Sequence, residues 1–307
     1  MSDSKLNYAI IGSGALGGYY GSRLMHGGAE VHFLLNSDYE HVAQSGFVVD
    51  STQHGDLILP KVHAYREVAA MPRCDVVVIG LKSTNNALLP DLLPPVVKDD
   101  GCVLTLQNGL GPEDDAAGVV GAERVLGGLC FLCSNKVGPG HIKQDRFDHI
   151  KIGEFYKGGI SERMRVIASD FEAGGVRVQL AEDLAAARWE KLVWNVPYNG
   201  LAAVLGVDCS VLMEYAEPLV ADLMFEVVLS AKAVIGHTIP GAFVETMLNN
   251  TLNMNAYKPS MMIDREMGRP IEVEAIYGEP LRRAEAAGCS VPKMRMLYQQ
   301  LKLLDTK

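Results

Sequence analysis

In the first half of the chain, short apolar runs alternate with stretches that have a helical pattern of apolar positions. The apolar runs predict strands at residues 8–11, 30–35, 75–80 and 102–106. Helical patterns cover residues 14–25, 39–45 and 85–97, and Pro90, Pro94 and Pro95 limit the last of them. Because strands that alternate with helices form parallel sheets covered on both faces, the pattern predicts an α/β domain.

After Gly127 the pattern changes to short strands at residues 128–136, 141–144 and 150–153, which predict antiparallel strands at the edge of the same sheet. A strand over residues 176–180 closes this first domain. From Ala181 onward, apolar positions recur with the helical period. They predict helices at 184–205, 219–235, 243–252, 271–287 and 294–304. We therefore expect two domains, residues 1–180 and an all-helical domain over residues 181–307, packed directly with a cleft between them.

A glycine-rich loop directly follows the first predicted strand. It consists of Gly12, Ser13, Gly14, Ala15, Leu16 and Gly17. At the start of a strand–loop–helix unit, such glycines allow a tight turn, close approach of a pyrophosphate, and close packing of the helix on the sheet. The unpaired amides at the helix N-terminus then face the phosphates. The loop predicts a dinucleotide site, with a plain strand–turn–helix as the alternative.

Composition narrows the functional classes. The 307 residues are 48% hydrophobic and 21% charged, with a formal net charge of -9 and no block of Lys or Arg. A chain of this charge offers no electrostatic surface for nucleic acid or for an anionic membrane. We see no secretory signal before Asn7 and no stretch long enough to span a membrane, so we expect a cytoplasmic protein.

The six cysteines are scattered along the chain. Cys130 and Cys133 have the spacing of a redox or zinc pair, but neither a second pair nor a histidine cluster accompanies them. We interpret the cysteines as small buried residues that are kept reduced, and we expect no metal site.

Polar residues recur within the first predicted helix of the second half. Lys191, Asn195 and Asn199 are four residues apart and therefore share one helical face. The neighbouring Trp189 and Trp194 favour a buried helix, in which a lysine and two amides need partners. The alternative is a polar stripe on a solvated face.

These motifs resemble those of the ketopantoate reductase family, and the resemblance covers almost the whole length. It depends on the glycine loop, Lys82 after the third predicted strand, Asn108 and Gly109, the lysine–asparagine helix, and the segments 258–264 and 268–274. The resemblance implies a Rossmann-type NAD(P)-binding domain and a helical domain like the C-terminal domain of 6-phosphogluconate dehydrogenase. It implies NADPH-dependent reduction of 2-dehydropantoate to pantoate, in the pathway to pantothenate.

The resemblance also implies roles for individual residues. Lys191 corresponds to the general acid, and burial should lower its pKa so that it releases a proton near neutral pH. Glu272 corresponds to the carboxylate that binds a substrate hydroxyl and helps to place the lysine. The implied substrate ligands are Asn108, Asn195, Asn199 and Ser260. The implied cofactor ligands are the loop residues 12–17, Asn36, Lys82, Asn108 and Glu272.

Each role has an alternative. Lys82 fits a surface lysine after a strand, and Asn108 with Gly109 fits a simple turn. Glu272 lies near three other carboxylates in the sequence, Glu266, Glu274 and Glu279. The residue pattern alone does not decide which of the four has this role.

Three positions depart from the family pattern. Tyr257 and Cys209 replace asparagines at the substrate end, which favours a 2-oxo acid with a more apolar side chain. Asn36 stands where the family often has an arginine for the NADP phosphate, so NADH is the second choice of cofactor. The alternatives are therefore a reductase of another small 2-oxo acid and a non-catalytic NADPH sensor. The apolar helices after Leu219 leave room for a homodimer interface.

Overall fold

The computed structural model describes residues 6–306, and the chain divides into two compact units. The first, which we call the sheet unit, contains the chain up to Gln107 and residues Pro112–Leu184. The second, which we call the helical unit, contains the chain from Ala185 onward and also the short segment Asn108–Gly111. The fold therefore combines an N-terminal α/β sheet with a helical C-terminal half, and four residues from the middle of the first half belong to the helical unit.

Within the described residues, the sheet unit contains one mixed ten-stranded sheet. Its path is β4-β3-β9-β8-β7-β6-β1-β2-β5, and β10 pairs with β9 off this path. The strands are β1 Asn7–Ile11, β2 Glu30–Leu34, β3 Phe47–Ser51, β4 Leu57–Leu59, β5 His63–Tyr65, β6 Cys74–Ile79, β7 Val97–Thr105, β8 Val125–Gly138, β9 His141–Glu154 and β10 Arg177–Ala181.

Four parallel strands end in register at one edge of this sheet. Ile11 of β1 is paired with Leu34 of β2 and with Ile79 of β6, and Ile79 is paired with Thr105 of β7. The segments that leave the first three strands carry the glycine loop, Asn36 and Lys82. Parallel pairing therefore brings these predicted cofactor residues to the same edge, where ligands of such sheets bind.

The prediction of antiparallel edge strands after Gly127 is wrong in its placement. β8 and β9 are antiparallel to each other, but β8 also pairs in parallel with β7, and β9 pairs in parallel with β3 and β10. The sheet ends instead at β4 and β5. The sequence analysis did not predict β3, β4 or β5, because strands of three to five residues give too few alternations to stand out.

The helices of the sheet unit are α1 Ala15–His26, α2 Tyr39–Ser45, α3 Leu89–Leu92, α4 Pro112–Val120 and α5 Glu162–Ala173. The predicted helix over residues 85–97 is wrong. The segment forms a 3₁₀ turn, Ser83–Leu88, then the four-residue α3, and Val97 already belongs to β7. Pro94 and Pro95 explain the early stop, because proline has no backbone N–H for a helix and restricts the residue before it.

Alternate residues of the central strands point to opposite faces of the sheet. Tyr8 and Ile10 of β1 are buried in one apolar cluster, and Ala9 and Ile11 are buried in the other. Burial on both faces is the pattern of a parallel sheet covered by helices, and it explains why these strands are continuous apolar runs in the sequence.

The helical unit contains α6 Leu184–Leu205, α7 Cys209–Ile235, α8 Gly241–Leu252, α9 Ser260–Glu266, a π-turn Glu274–Gly278, α10 Glu279–Ala286 and α11 Pro292–Asp305. Leu184 itself is the last residue of the sheet unit. α6 has the predicted bounds. α7 begins ten residues before its predicted start at Leu219, because Asp208 caps it by accepting hydrogen bonds from the Ser210 and Val211 amides. Ala216 leaves helical geometry just before Pro218.

The predicted helix 271–287 is also different in the structure. Residues 271 and 272 precede the helical part, which begins at Val273, and the π-turn precedes α10. α6 lies in the core of this unit, where Trp189 and Tyr198 are fully buried. The Tyr277 hydroxyl donates a hydrogen bond to the Val196 carbonyl of α6 at 2.9 Å, which ties the π-turn to that helix. None of the helices within residues 6–306 is long and apolar enough to cross a membrane.

Candidate active site

The three glycines of the loop differ in the space around them. Gly12 has φ +94°, and a side chain at this position would lie 2.5 Å from the Leu81 nitrogen. At Gly17 a Cβ would lie 2.1 Å from the Gly12 carbonyl oxygen, so α1 packs closely on the end of β1. At Gly14, by contrast, a Cβ would meet no atom within 4 Å. Two glycines are therefore closed by packing, and the middle one is open to a ligand.

The start of α1 is suited to an anion. Its N-cap is Gly14, which has no side chain to cap the helix, and its first turn carries no acidic residue. The first amides of such a helix are left for an anionic ligand. Ser13 donates its hydroxyl to the Leu34 carbonyl at 3.1 Å, which ties the loop to the end of β2. The residues present therefore fit the pyrophosphate of a dinucleotide.

Asn36 and Asp38, which follow β2, differ in burial and in hydrogen bonding. Asn36 is exposed, whereas Asp38 is buried and its carboxylate accepts hydrogen bonds from Lys136 Nζ at 2.6 Å and the Gly140 amide at 3.1 Å. Burial raises the pKa of Asp38, but the hydrogen bonds from Lys136 and Gly140 outweigh burial and hold it below its ordinary value. Asp38 thus anchors the β8–β9 turn, whereas the side chain of Asn36, two residues earlier, is exposed at the end of β2.

Lys82 is half-buried at the start of the 3₁₀ turn after β6. Two side-chain hydrogen bonds hold this turn. Gln107 Nε2 donates to Asn86 Oδ1 at 2.6 Å, and Asn86 Nδ2 donates to Asp115 at 2.8 Å. The sequence analysis missed Asn86, because it ends a run of polar residues, 82–86, and nothing in the local sequence distinguishes it from its neighbours.

In the helical unit, α6 carries Lys191, Asn195 and Asn199 at its four-residue spacing. Both asparagines are buried, and Lys191 is half-buried. The Lys191 ammonium donates a hydrogen bond to Asn108 Oδ1 at 2.9 Å. The structure therefore brings together two residues that are far apart in sequence, and α6 does not present these residues as a solvated polar stripe.

Asn199 and Ser260 are also in contact. Asn199 Oδ1 accepts hydrogen bonds from the Ser260 hydroxyl at 3.3 Å and from the Met261 amide at 3.2 Å. Because Met261 lies in the first turn of α9, Asn199 holds the start of that helix. Asn199 and Ser260 therefore form one polar group at the start of α9.

Burial separates Glu272 from the neighbouring glutamates. Glu272 is 6% exposed, whereas the side chains of Glu266 and Glu274 are 46% and 50% exposed. The other three carboxylates form surface ion pairs: Glu266 with Lys258, Glu274 with Arg282 and Lys302, and Glu279 with Arg282 and Arg283. Only Glu272 of these four has the burial expected of a carboxylate that works in a site.

The segment Asn108–Gly111 packs on the π-turn. The Leu110 amide donates to the Ala275 carbonyl at 2.8 Å. Gly109 has φ +87°, and a Cβ there would lie 2.1 Å from the same carbonyl oxygen. Asn108 and Gly109 thus do more than make a local turn, because their backbone is fixed on the residues that follow Glu272.

The two departures at the substrate end, Tyr257 and Cys209, are neighbours in the structure. The Cys209 amide donates to the Tyr257 carbonyl at 3.0 Å, and the Tyr257 ring lies 6.0 Å from that of Trp194. Cys209 is fully buried, and burial raises the pKa of its thiol to about 12. Within residues 6–306, the six cysteines form no disulfide, and no group of three or more His, Cys, Asp or Glu side chains could hold a metal ion.

Known proteins are similar to this chain over nearly its whole length. Two family models match, "Ketopantoate reductase PanE/ApbA" over residues 8–157 and its C-terminal counterpart over residues 183–305. A 2-dehydropantoate 2-reductase from Nostoc sp. is 52% identical over 97% of this chain and 95% of its own length.

Two solved structures share the fold. The 2-dehydropantoate 2-reductase from Geobacter metallireducens GS-15 is 42% identical, with a TM-score of 0.94 over 97% of this chain and 99% of the other. The one from Methylococcus capsulatus is 31% identical, with a TM-score of 0.91 over 98% and 97%. Family models, a curated relative and solved structures thus agree over nearly the whole chain, which belongs to the ketopantoate reductase family of dinucleotide-dependent oxidoreductases.

Proposed function

We propose that this protein catalyses the NADPH-dependent reduction of 2-dehydropantoate to pantoate, with Lys191 as the general acid. The observation that carries the proposal is the 2.9 Å contact between Lys191 Nζ and Asn108 Oδ1 in the helical unit. This contact fixes a half-buried ammonium in a unit that also holds the buried Glu272, in a chain 52% identical to a 2-dehydropantoate 2-reductase.

In this reaction Lys191 donates a proton from Nζ to the ketone oxygen while the carbonyl carbon accepts a hydride. NADPH, when bound, supplies that hydride. The ammonium also stabilises the negative charge that develops on the oxygen, an effect worth roughly 3 kcal/mol for one well-placed donor. Lys191 then regains its proton from solvent. Asn108 keeps the ammonium oriented, and Glu272 accepts a hydrogen bond from the substrate hydroxyl.

The remaining residues bind the two reactants. We assign the dinucleotide to residues 1–180, with the loop residues 12–17 at the pyrophosphate, Asn36 at the adenosine ribose and Lys82 near the phosphates. We assign the substrate to residues 181–307, with Asn195, Asn199 and Ser260 as donors to its oxygens. Asn108 and Glu272 serve both reactants. The open space at Gly14 and the burial of both asparagines support this division.

A second candidate is a reductase of a different 2-oxo acid that uses NADPH or NADH. Tyr257 and the fully buried Cys209 favour it, because they replace amide donors by an aromatic ring and an apolar thiol. Asn36 favours NADH over a strict NADPH preference, because an amide adds no charge to bind a 2′-phosphate. A non-catalytic sensor is the weaker alternative, since a sensor has no need of the Lys191–Asn108 contact.

The experiment is to follow oxidation of NADPH, and separately of NADH, with 2-dehydropantoate and a panel of 2-oxo acids that includes aromatic ones. We expect saturable turnover with 2-dehydropantoate at micromolar to millimolar concentrations, and faster turnover with NADPH. Turnover with an aromatic 2-oxo acid, and none with 2-dehydropantoate, would show that the substrate is an aromatic 2-oxo acid. Binding of NADPH without turnover of any acid would favour the sensor.

The assembly is a homodimer in our proposal. Phe225 and Leu229, one turn apart on α7, are about half exposed, so the outer face of this helix carries a pair of large apolar side chains that a second copy of the chain could cover. Sedimentation of the purified protein tests this, and a monomer at micromolar concentration would contradict it. We expect the enzyme to act in the cytoplasm.

A further inference from the structure

The backbone of the π-turn leaves one buried carbonyl without a donor in its own helix. In an α-helix the Ala275 carbonyl would accept from the amide four residues later, which is that of Glu279. Here the Glu279 amide instead donates to Glu274, five residues before it. The next candidate, residue 280, is a proline and has no N–H. Pro280 and the π-turn together therefore free the Ala275 carbonyl.

The freed carbonyl is used by the segment Asn108–Gly111. Its partner is the Leu110 amide, at 2.8 Å, and both residues are buried. Contact is close along this segment, since a Cβ at Gly109 would lie 2.1 Å from the oxygen and 2.3 Å from the carbon of the same carbonyl. A buried carbonyl without a partner is costly, so this hydrogen bond fixes where the segment lies.

Both ends of this contact lead to residues of the proposed site. Asn108, two residues before Leu110, accepts the hydrogen bond from Lys191. On the other side, the Glu272 carbonyl accepts from the Ile276 amide at 3.2 Å, so Glu272 belongs to the same turn. The single backbone contact between Leu110 and Ala275 thus joins the residue that orients the lysine to the segment that carries the buried carboxylate.

We propose that Pro280 and Gly109 are positioning residues for the reduction. Pro280 keeps the Ala275 carbonyl free, and Gly109 lets the chain approach it, so that Asn108 is held against Lys191. This inference rests on the proposed function, because its effect on rate is measured with the reductase reaction. The structural coupling is measured separately, without turnover.

The chain offers a matched pair of variants. Gly109 and Gly111 both have positive φ, at +87° and +99°, so alanine strains the backbone at either position. Only at Gly109 would the new Cβ collide with Ala275; at Gly111 the nearest atom would be Glu279 Cγ at 3.7 Å. Gly109→Ala therefore tests the contact, and Gly111→Ala controls for the strain. Pro280→Ala tests the same contact from the other side by restoring an N–H.

Two readouts are needed on the full-length protein. Amide hydrogen exchange at Leu110 reports the contact itself, and we expect exchange about tenfold faster or more in Pro280→Ala and Gly109→Ala. Steady-state kinetics report its effect. We expect kcat about tenfold to a hundredfold lower in both variants, because a small displacement of a catalytic group has effects of this size. KM for NADPH should stay within about twofold, and Gly111→Ala should keep kcat within about twofold of the parent.

Several results would overturn the proposal. Faster exchange at Leu110 with unchanged kcat would mean that the contact is only structural, and lower kcat with unchanged exchange would mean that these residues act in another way. An equal loss of kcat in Gly111→Ala would assign the effect to backbone strain. If Gly109→Ala fails to fold, Leu110 exchange and kcat of Pro280→Ala alone test the proposal. If the parent protein turns over no 2-oxo acid, the proposed function fails, whereas Leu110 exchange still tests the coupling.

Discussion

The contact between Lys191 and Asn108 predicts how their substitutions combine. Lys191→Ala removes both the proton donor and the charge beside the developing alkoxide. Loss of one such donor is worth roughly 3 kcal/mol, which is about a hundredfold in rate at 1.36 kcal/mol per factor of ten. Loss of the positioned acid can extend this toward 10⁴-fold. We therefore expect kcat for 2-dehydropantoate to fall by at least about a hundredfold.

Asn108→Ala removes the acceptor at 2.9 Å from Lys191 Nζ. A hydrogen bond that involves a charged group contributes about 1.5–3 kcal/mol, so the expected loss is about tenfold to a hundredfold. Part of this loss of kcat arises because the lysine is no longer oriented. Asn108→Ala should therefore lower kcat less when Lys191 is already alanine. The double-mutant cycle should give a coupling energy of about 1 kcal/mol or more.

The assay is steady-state oxidation of NADPH for the four proteins of the cycle, with dinucleotide binding measured by fluorescence titration. Lys293→Ala is the matched control, because Lys293 is a half-buried lysine of the helical unit, like Lys191, and its ammonium pairs with Asp222 at 3.3 Å. Lys191→Arg retains the charge but loses a proton only at very high pH, so it should retain dinucleotide binding and lose turnover. Strictly additive losses, or near-normal turnover in Lys191→Ala, would refute the reasoning.

Three further predictions follow from other contacts. Gly14→Ala should keep the thermal stability and weaken dinucleotide binding, whereas Gly17→Ala, whose Cβ would lie 2.1 Å from a carbonyl oxygen, should lower the melting temperature; equal melting temperatures would contradict this. Asp38→Asn should lower the free energy of unfolding at pH 7 by about 1–3 kcal/mol in urea, and because the folded pKa of Asp38 is lowered, this difference should shrink as pH falls below about 4. Burial raises the pKa of the Cys209 thiol to about 12, so Cys209 should resist alkylation at pH 8 while the half-buried Cys289 reacts. The free energy of unfolding should fall above about pH 9, because there the Cys209 thiol ionises only in the unfolded chain. Rapid modification of Cys209 in the folded protein would contradict its burial.

The sequence predicts those parts of the fold that local pattern determines. α6 has its predicted bounds because a long buried helix repeats its apolar period many times. The loop at residues 12–17 is recognisable because its three glycines stand directly between an apolar run and a helical pattern, all within a short stretch of sequence. By contrast, β3 is stabilised by pairing with β9, almost a hundred residues later, and its own five residues carry little signal.

The candidate site is predictable only in part for the same reason. The spacing of Lys191, Asn195 and Asn199 is a local property, and it is visible without the fold. The residue pattern alone leaves four glutamates open, and the resemblance implies Glu272. Its burial, which sets it apart from the other three, depends on the whole helical unit. The π-turn could not be predicted from the sequence, because it depends on the missing N–H of Pro280 and on a hydrogen bond from Leu110, which lies in the other half of the sequence.

The assignment of Asn108–Gly111 to the helical unit has a consequence for synthesis of the chain. Ala275, the acceptor for Leu110, leaves the ribosome long after Leu110 does; at ordinary translation rates the delay is roughly 10 to 30 s. During that time the Rossmann-type sheet can form its own parallel pairs, but Asn108 has no anchor. A nascent chain can therefore form the sheet of its first half well before Asn108 is anchored in the position where it orients Lys191. Splitting the protein after residue 180 would make this separation permanent, so a transplanted helical half should be accompanied by its four-residue segment from the first half.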